Sequence, residues 1–409
     1  MKYPKWIRAY QQLDNKRDDN PSHTLGIQLE SIQNKLHIKE GDSIAVTVGS
    51  RSISNLVPLT KRVIDFLKSK GAAPFLVPAM GSHGAGTSEG QRQLLEELGF
   101  TERSMEVPVL SSMEVVLLGE VEGIPIYMDK IAFESKGVIV INRLKPHQVF
   151  KGDIQSGLNK MLALGLGKKR GAEVIHLAGR GDVLGQIGDF ICLKAPILFG
   201  VAILENSYSE TRNVAVVFPQ EFKEIDRRWA KESRSFLPRI PFRSLDLVLV
   251  DEMGKNISGS GMDTNVIGFT RHLDNTGKAA VPLAVCDLTE ESDGNALGMG
   301  LADFMTQRLK DKVDFSKTYT NAIATGIYSA GRIPITLESE REILNAVLEK
   351  YQEPVKTKIV RIKNTLHLEE FLITEALIPE AEKNDKIRFD GELIGTDFDD
   401  SGRLSFGWK

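Results

Sequence analysis

The sequence predicts an α/β protein of two domains, each built on a mostly parallel sheet, and three observations carry that expectation. Buried-strand runs alternate with amphipathic helical stretches from Gly41 onward, the βαβ rhythm of a parallel sheet. Arg51, His83 and His147 each fall just past the end of such a run, where open α/β sheets gather their ligands. A chain of 409 residues is also long enough for two hydrophobic cores. The stretch Leu237-Pro-Arg-Ile-Pro-Phe242, with its two prolines, suits a linker, so the domains are expected at 1–238 and 239–409.

The elements follow in order. Gly41 to Arg51 reads as a buried strand ending in a Gly-Ser-Arg turn, and an amphipathic helix runs on through Leu56, Val63, Ile64 and Leu67 to Gly71. A second strand, Pro74 to Met80, enters the turn Gly81-Ser-His-Gly-Ala-Gly86. Ser88 and Gln91, at capping-box spacing, open the next helix. Val107 to Asp129 reads as short antiparallel strands, Gly137 to Ile141 and Ile197 to Leu204 as buried strands, and Phe222 to Phe236 as a charged helix. The second domain opens with the strand Leu245 to Asp251 and a loop through Asp263. The strand Val281 to Asp287, a Gly-rich turn, a helix through Leu309, a helix Glu338 to Tyr351, the strand Val355 to Ile362 and a terminal hairpin complete it.

Composition narrows the function. A net charge of -3 gives no broad pull towards nucleic acid or membranes, and the basic cluster Lys168-Lys-Arg170 reads as the solvated end of a helix. Cys192 and Cys286 lie far apart in apolar settings and read as reduced core thiols. The N-terminal twenty residues are polar without a signal-peptide core, and no apolar run reaches membrane-spanning length. The expected location is the cytoplasm.

The chemistry concentrates between Asn142 and His176. This stretch carries His147, Lys160 and His176 among glycines at 152, 157, 165, 167 and 171, which let a flat ligand approach the backbone. Lys160 lies in a small, apolar helical run. Buried there, its pKa would fall and it would serve as a nucleophile or covalent anchor; at a helix edge it would simply snorkel. His83, in a glycine-flanked turn before a helix, is placed to be a neutral base, or else a turn or capping histidine. His147, fixed by Pro146, is either its partner or a surface histidine. Two neutral histidines on opposite sides of a substrate make an acid–base pair for inverting a centre. Arg51 is placed to clamp a carboxylate or phosphate, or to make a structural ion pair. Lys255 is the one cation inside the loop Glu252 to Asp263. No paired-cysteine or Cys₂His₂ spacing for a structural zinc exists.

Taken together, Gly81-Ser-His83, His147, Ser156-Gly157 with Lys160, and His176 resemble the nickel-dependent lactate racemase family, closely in the first domain and more loosely in the second. The resemblance implies two α/β domains with the active site in the cleft between them, the second closing over the substrate. It implies a nickel-pincer nucleotide, a pyridinium-3-thioamide-5-thiocarboxylic acid mononucleotide carrying nickel. Lys160 would attach this cofactor covalently, with Ser156 and Gly157 beside it and His176 as the nitrogen ligand to nickel. His83 and His147 would be the catalytic pair, and Arg51 and Lys255 would contact substrate. Departures fall where substrate would sit. Val48 replaces a family acidic residue, His147 and Lys160 stand three residues further apart, and the family's Tyr-Gln-x-x-Lys pattern is not recognisable after Val250. The expectation is therefore a racemase or epimerase of a 2-hydroxy acid, lactate-like or larger, such as an aldonate or dicarboxylate. Its partners would be that small molecule and the proteins that build and insert the cofactor. The alternatives are a metal-dependent hydrolase or isomerase using His83, His147 and His176 as ligands, and a non-catalytic binder of a nucleotide or sugar acid.

Overall fold

The computed structural model describes residues 2–145, 154–179, 181–267 and 281–408. The chain forms two compact units, Asp14–Leu237 and a second made of Met1–Leu13 with Pro238–Lys409. The first strand, β1 (Trp6–Gln11), belongs to that second unit.

In the unit of residues 14–237 the central sheet is built from β2 (Ser43–Val48) and β3 (Ala73–Pro78). A separate hairpin, β4 (Val115–Val121) and β5 (Ile124–Asp129), intervenes, as the short antiparallel strands expected there. The sheet then continues with β6 (Gly137–Leu144), β7 (Ile197–Glu205) and β8 (Thr211–Val217). Its order is β3-β2-β6-β7-β8, parallel except for the last pair. Side-chain alternation sends Ile44, Val46 and Val48 of β2 into one core and Ala45 into the other. The helix Leu56–Ser69 fills the first core with Leu59, Val63 and Leu67, while Phe222, Ile225 and Trp229 of the helix Phe222–Phe236 fill the second. A sheet apolar on both faces must be covered on both, which is why these strands read as unbroken apolar runs.

The second unit carries β9 (Leu247–Val250), β10 (Leu283–Val285), β11 (Phe304–Thr306), β12 (Ile335–Leu337), β13 (Ile359–Ile362), β14 (Glu370–Thr374) and β15 (Ile387–Ile394). Its eight-stranded order is β12-β11-β10-β9-β13-β14-β1-β15, parallel from β12 to β13 and antiparallel beyond. Both units are therefore α/β with mostly parallel sheets, the expected class.

Three local expectations change. The terminal hairpin is not one, because β1 inserts between β14 and β15 and pairs with both. A six-residue run with arginine inside gives no strand signal. That arginine, Arg8, is buried because Glu370 and the Gly407 carbonyl (2.6 Å) satisfy it. The capping box at Ser88 is absent. Thr87 caps that helix, accepting from the Gly90 N–H at 3.1 Å, and Gln91 points elsewhere. Nor is the basic cluster a solvated helix end, since Lys168 is wholly buried while Lys169 and Arg170 face solvent. Both cysteines are free thiols, Cys286 buried and Cys192 half-buried.

Candidate active site

Two turns at the carboxyl edge of the five-stranded sheet begin the site. The turn after β2 presents Ser50 and Arg51; the turn after β3 presents His83. The Ser50 hydroxyl bonds His83 Nδ1. In the tautomer whose Nδ1–H donates to Ser50 Oγ, Nε2 keeps its lone pair, as a proton acceptor requires. Burial, then the charges of Arg51, Lys160 and His176, pull the His83 imidazole down to about 4. Its surface is nevertheless solvent-accessible. Accessible yet crowded by protein, it has the setting of a group lining a recess, and it is neutral at physiological pH.

The lysine lies beyond β6. The described residues resume there at Ile154, and a short helix, Leu158–Lys160, runs into a π-turn, Met161–Gly165. Such turns collect at functional sites because they re-aim side chains within a helix. The helix start is pinned by Asp226, whose carboxylate accepts from the Leu158 N–H (3.0 Å), the Asn159 N–H (2.9 Å) and the Asn159 side-chain amide (2.7 Å). Gly157 makes this possible. Its φ is +94°, and a Cβ there would stand 2.1 Å from Asp226 Oδ1. Asn142 donates to the Gly157 carbonyl at 2.7 Å, and the Lys145 N–H donates to Ser156 Oγ at 2.9 Å, so β6 and the helix are laced together. Burial drives the Asp226 carboxyl up to about 7 against its three donors.

Lys160 sits just beyond this cap. Desolvation, then Arg51 and Arg143, bring its amine down to about 7, where a substantial fraction is neutral and nucleophilic at physiological pH. Arg143, at the end of β6, pairs with Glu205 of β7 at 2.5 Å, and the Ser54 N–H donates to the other Glu205 oxygen at 2.9 Å. The His176 imidazole is lowered by desolvation and by Lys160, which keeps a ring nitrogen available as a ligand. Arg51 is lowered by desolvation and by Arg143. The result is a field of cations suited to an anionic ligand.

These groups fit a nucleotide cofactor that brings most of its own metal donors, which asks the protein for one neutral amine and one neutral imidazole. Among the described residues no three His, Cys, Asp or Glu side chains stand together as metal ligands. Of the residues singled out from the sequence, Arg51, His83, Ser156, Gly157, Lys160 and His176 lie in one unit, and the four charged or titratable ones share one electrostatic environment. His147 lies outside the described residues. Lys255 belongs to the other unit, where its ammonium donates to the Gly259 carbonyl (2.8 Å) and to Asn321 (2.6 Å). The sequence reading missed Ser50, Arg143, Glu205 and Asp226. Only Asp226 left a signal: it is a carboxylate on the apolar stripe Phe222, Ile225, Trp229, Ala230 of an amphipathic helix.

No protein-family profile matches the sequence, and no curated protein matches it significantly. Among solved structures, a Thermotoga maritima protein is similar at a TM-score of 0.51 and 15% identity, over 86% of this chain and 99% of that one. The lactate racemase apoprotein of Thermoanaerobacterium thermosaccharolyticum is similar at a TM-score of 0.49 and 13% identity, over 84% of this chain and 91% of the other. Likeness at such identities speaks to fold alone.

Proposed function

We propose that this chain is a racemase or epimerase of a 2-hydroxy acid working with a nickel-pincer nucleotide attached through Lys160. One observation carries the reading: an amine brought to about 7 and two neutral imidazoles, His83 and His176, lie in each other's field beside Arg51. That is the set of functional groups the motif resemblance assigns to anchor, ligand and base.

In this reading Lys160 forms the covalent link, and the His176 imidazole supplies the nitrogen donor. When bound, the cofactor supplies the site that accepts and returns hydride at the substrate α-carbon. His83 Nε2, its ring held by Ser50, takes the proton of the substrate hydroxyl, and His147 gives a proton to the keto oxygen when hydride returns to the opposite face; the two exchange roles for the other enantiomer. Arg51 holds the substrate carboxylate by its planar guanidinium. Lys255 is the remaining candidate for a substrate contact. The departures at Val48 and in the His147–Lys160 spacing favour a 2-hydroxy acid larger than lactate. The proposed place of work is the cytoplasm; among the described residues no helix is long and apolar enough to cross a membrane.

The test is intact mass and nickel content of protein made alongside the cofactor-building enzymes, beside Lys160→Ala, followed by a screen of chiral 2-hydroxy acids. Added mass and about one nickel per chain are expected, both absent from the variant. An unmodified, nickel-free protein, from cells that load a known racemase, would sink the proposal.

A further inference from the structure

The His83 turn and the Lys160 helix meet at a buried group that the chemistry itself does not use. The Lys168 side chain is fully enclosed. Its ammonium donates to the Pro78 carbonyl at the end of β3 (2.6 Å) and to Gln91 Oε1 (3.3 Å). It also stands 3.0 Å from the Asp129 carboxylate at the end of β5, an ion pair without the angle of a directed hydrogen bond. Gln91, equally buried, turns its amide to the Gly81 carbonyl (2.9 Å) and the His83 carbonyl (3.2 Å). Main-chain bonds run in parallel: Gly81 N–H to the Gly165 carbonyl (3.1 Å), and Asp129 N–H to the Leu166 carbonyl (2.7 Å).

We infer that Lys168 is a positioning residue, whose ammonium, through Gln91, sets the His83 turn in register with the helical run that carries Lys160. The inference deepens the racemase reading and rests on it for the roles of those two side chains. Its support is geometric. A buried lysine that merely filled space would take the cheapest backbone and a single carboxylate partner. This one adopts φ 53°, a left-handed conformation that a long side chain reaches only where its surroundings over-determine it. It also spends its other donors on the strand end and the glutamine that bind the turn. Gln91 completes no capping box because Thr87 caps the helix and Gly90 takes the third helical position, which leaves its amide free to bind Gly81 and His83. Ser50 holds the His83 ring, but the placement of the turn that carries it depends on Gln91, and proton transfer depends on placement to a fraction of an ångström.

The test follows the His83 ring in the full-length apoprotein by NMR of ring-labelled histidine, with thermal unfolding measured alongside. In the native protein His83 is expected to titrate well below the usual imidazole range, at about 4. In Lys168→Met its titration is expected to move upward by about one unit or more as the turn loosens from Arg51, Lys160 and His176. Gln91→Met changes no charge, so the same direction of movement there isolates geometry from electrostatics. A His83 titration unchanged in Gln91→Met that unfolds cooperatively overturns the inference, and this arm decides the matter if Lys168→Met does not fold. Because the readout is a ring titration and not turnover, failure of the racemase assignment and failure of the positioning role give different results.

Discussion

Two lysines eight positions apart, Lys160 half-buried at the end of one short helix and Lys168 wholly buried at the start of the next, meet opposite company. Desolvation lowers the Lys168 amine, but Asp129 and a backbone carbonyl offset part of that and hold it as a cation. Lys160 faces Arg51 and Arg143, which add to it. Burial alone therefore does not make a lysine reactive; the sign of the neighbouring charge separates a structural cation from a nucleophilic amine. Lys160's counterweights lie in the fold around it, in the Asp226 cap that fixes the helix start and in the Arg143–Glu205 pair.

The contrast breaks most visibly at Lys168. Lys168→Met strands the Asp129 carboxylate in the core, and a loss of about 3–5 kcal/mol of unfolding free energy is expected by denaturant titration. A loss within about 0.5 kcal/mol would mean the pair is not a structural ion pair. Lys160→Met should act in the opposite direction in the apoprotein. The Lys160 amine titrates at about 7 in the fold against 10.5 in the open chain. A group so depressed favours folding fully above 10.5 and ceases to as pH falls through 7, so at pH 6 the protonated lysine opposes folding. Its replacement is expected to raise Tm by about 2–4 °C at pH 6, with the gain fading as pH approaches 10.5. A melting temperature that falls at pH 6 would place Lys160 among the structural lysines. The smallest effect is expected of Arg143→Gln, which removes one guanidinium from the lysine and uncovers Glu205. The Lys160 amine should rise by up to about one unit, read from the pH dependence of its labelling by an amine reagent. No rise would leave desolvation as the whole cause.

These residues also mark what can be read from sequence. Lys160, His83, His176 and Arg51 were legible because each sits at a strand end or in a glycine-rich run, and strand ends are local events. Asp226 was half-legible, as a carboxylate on an apolar helix face. Lys168 gave the wrong signal: in Lys168-Lys-Arg170 nothing local distinguishes the one side chain that turns inward. β1 left none, because six residues interrupted by Arg8 become a strand only when β14 and β15, more than 350 positions on, supply the hydrogen bonds and Glu370 the charge.

By itself, then, the sequence determined the α/β class, most strand and helix positions and the cluster of candidate groups, since apolar periodicity and turn chemistry act over a few residues. Tertiary structure alone decided that an N-terminal strand joins the second unit's sheet and that Asp226 caps the lysine helix. It also decided which of the two lysines meets a carboxylate and which meets guanidiniums. Those outcomes depend on charges and hydrogen-bond partners brought together from distant parts of the chain, and in a buried setting it is that company which sets the chemistry.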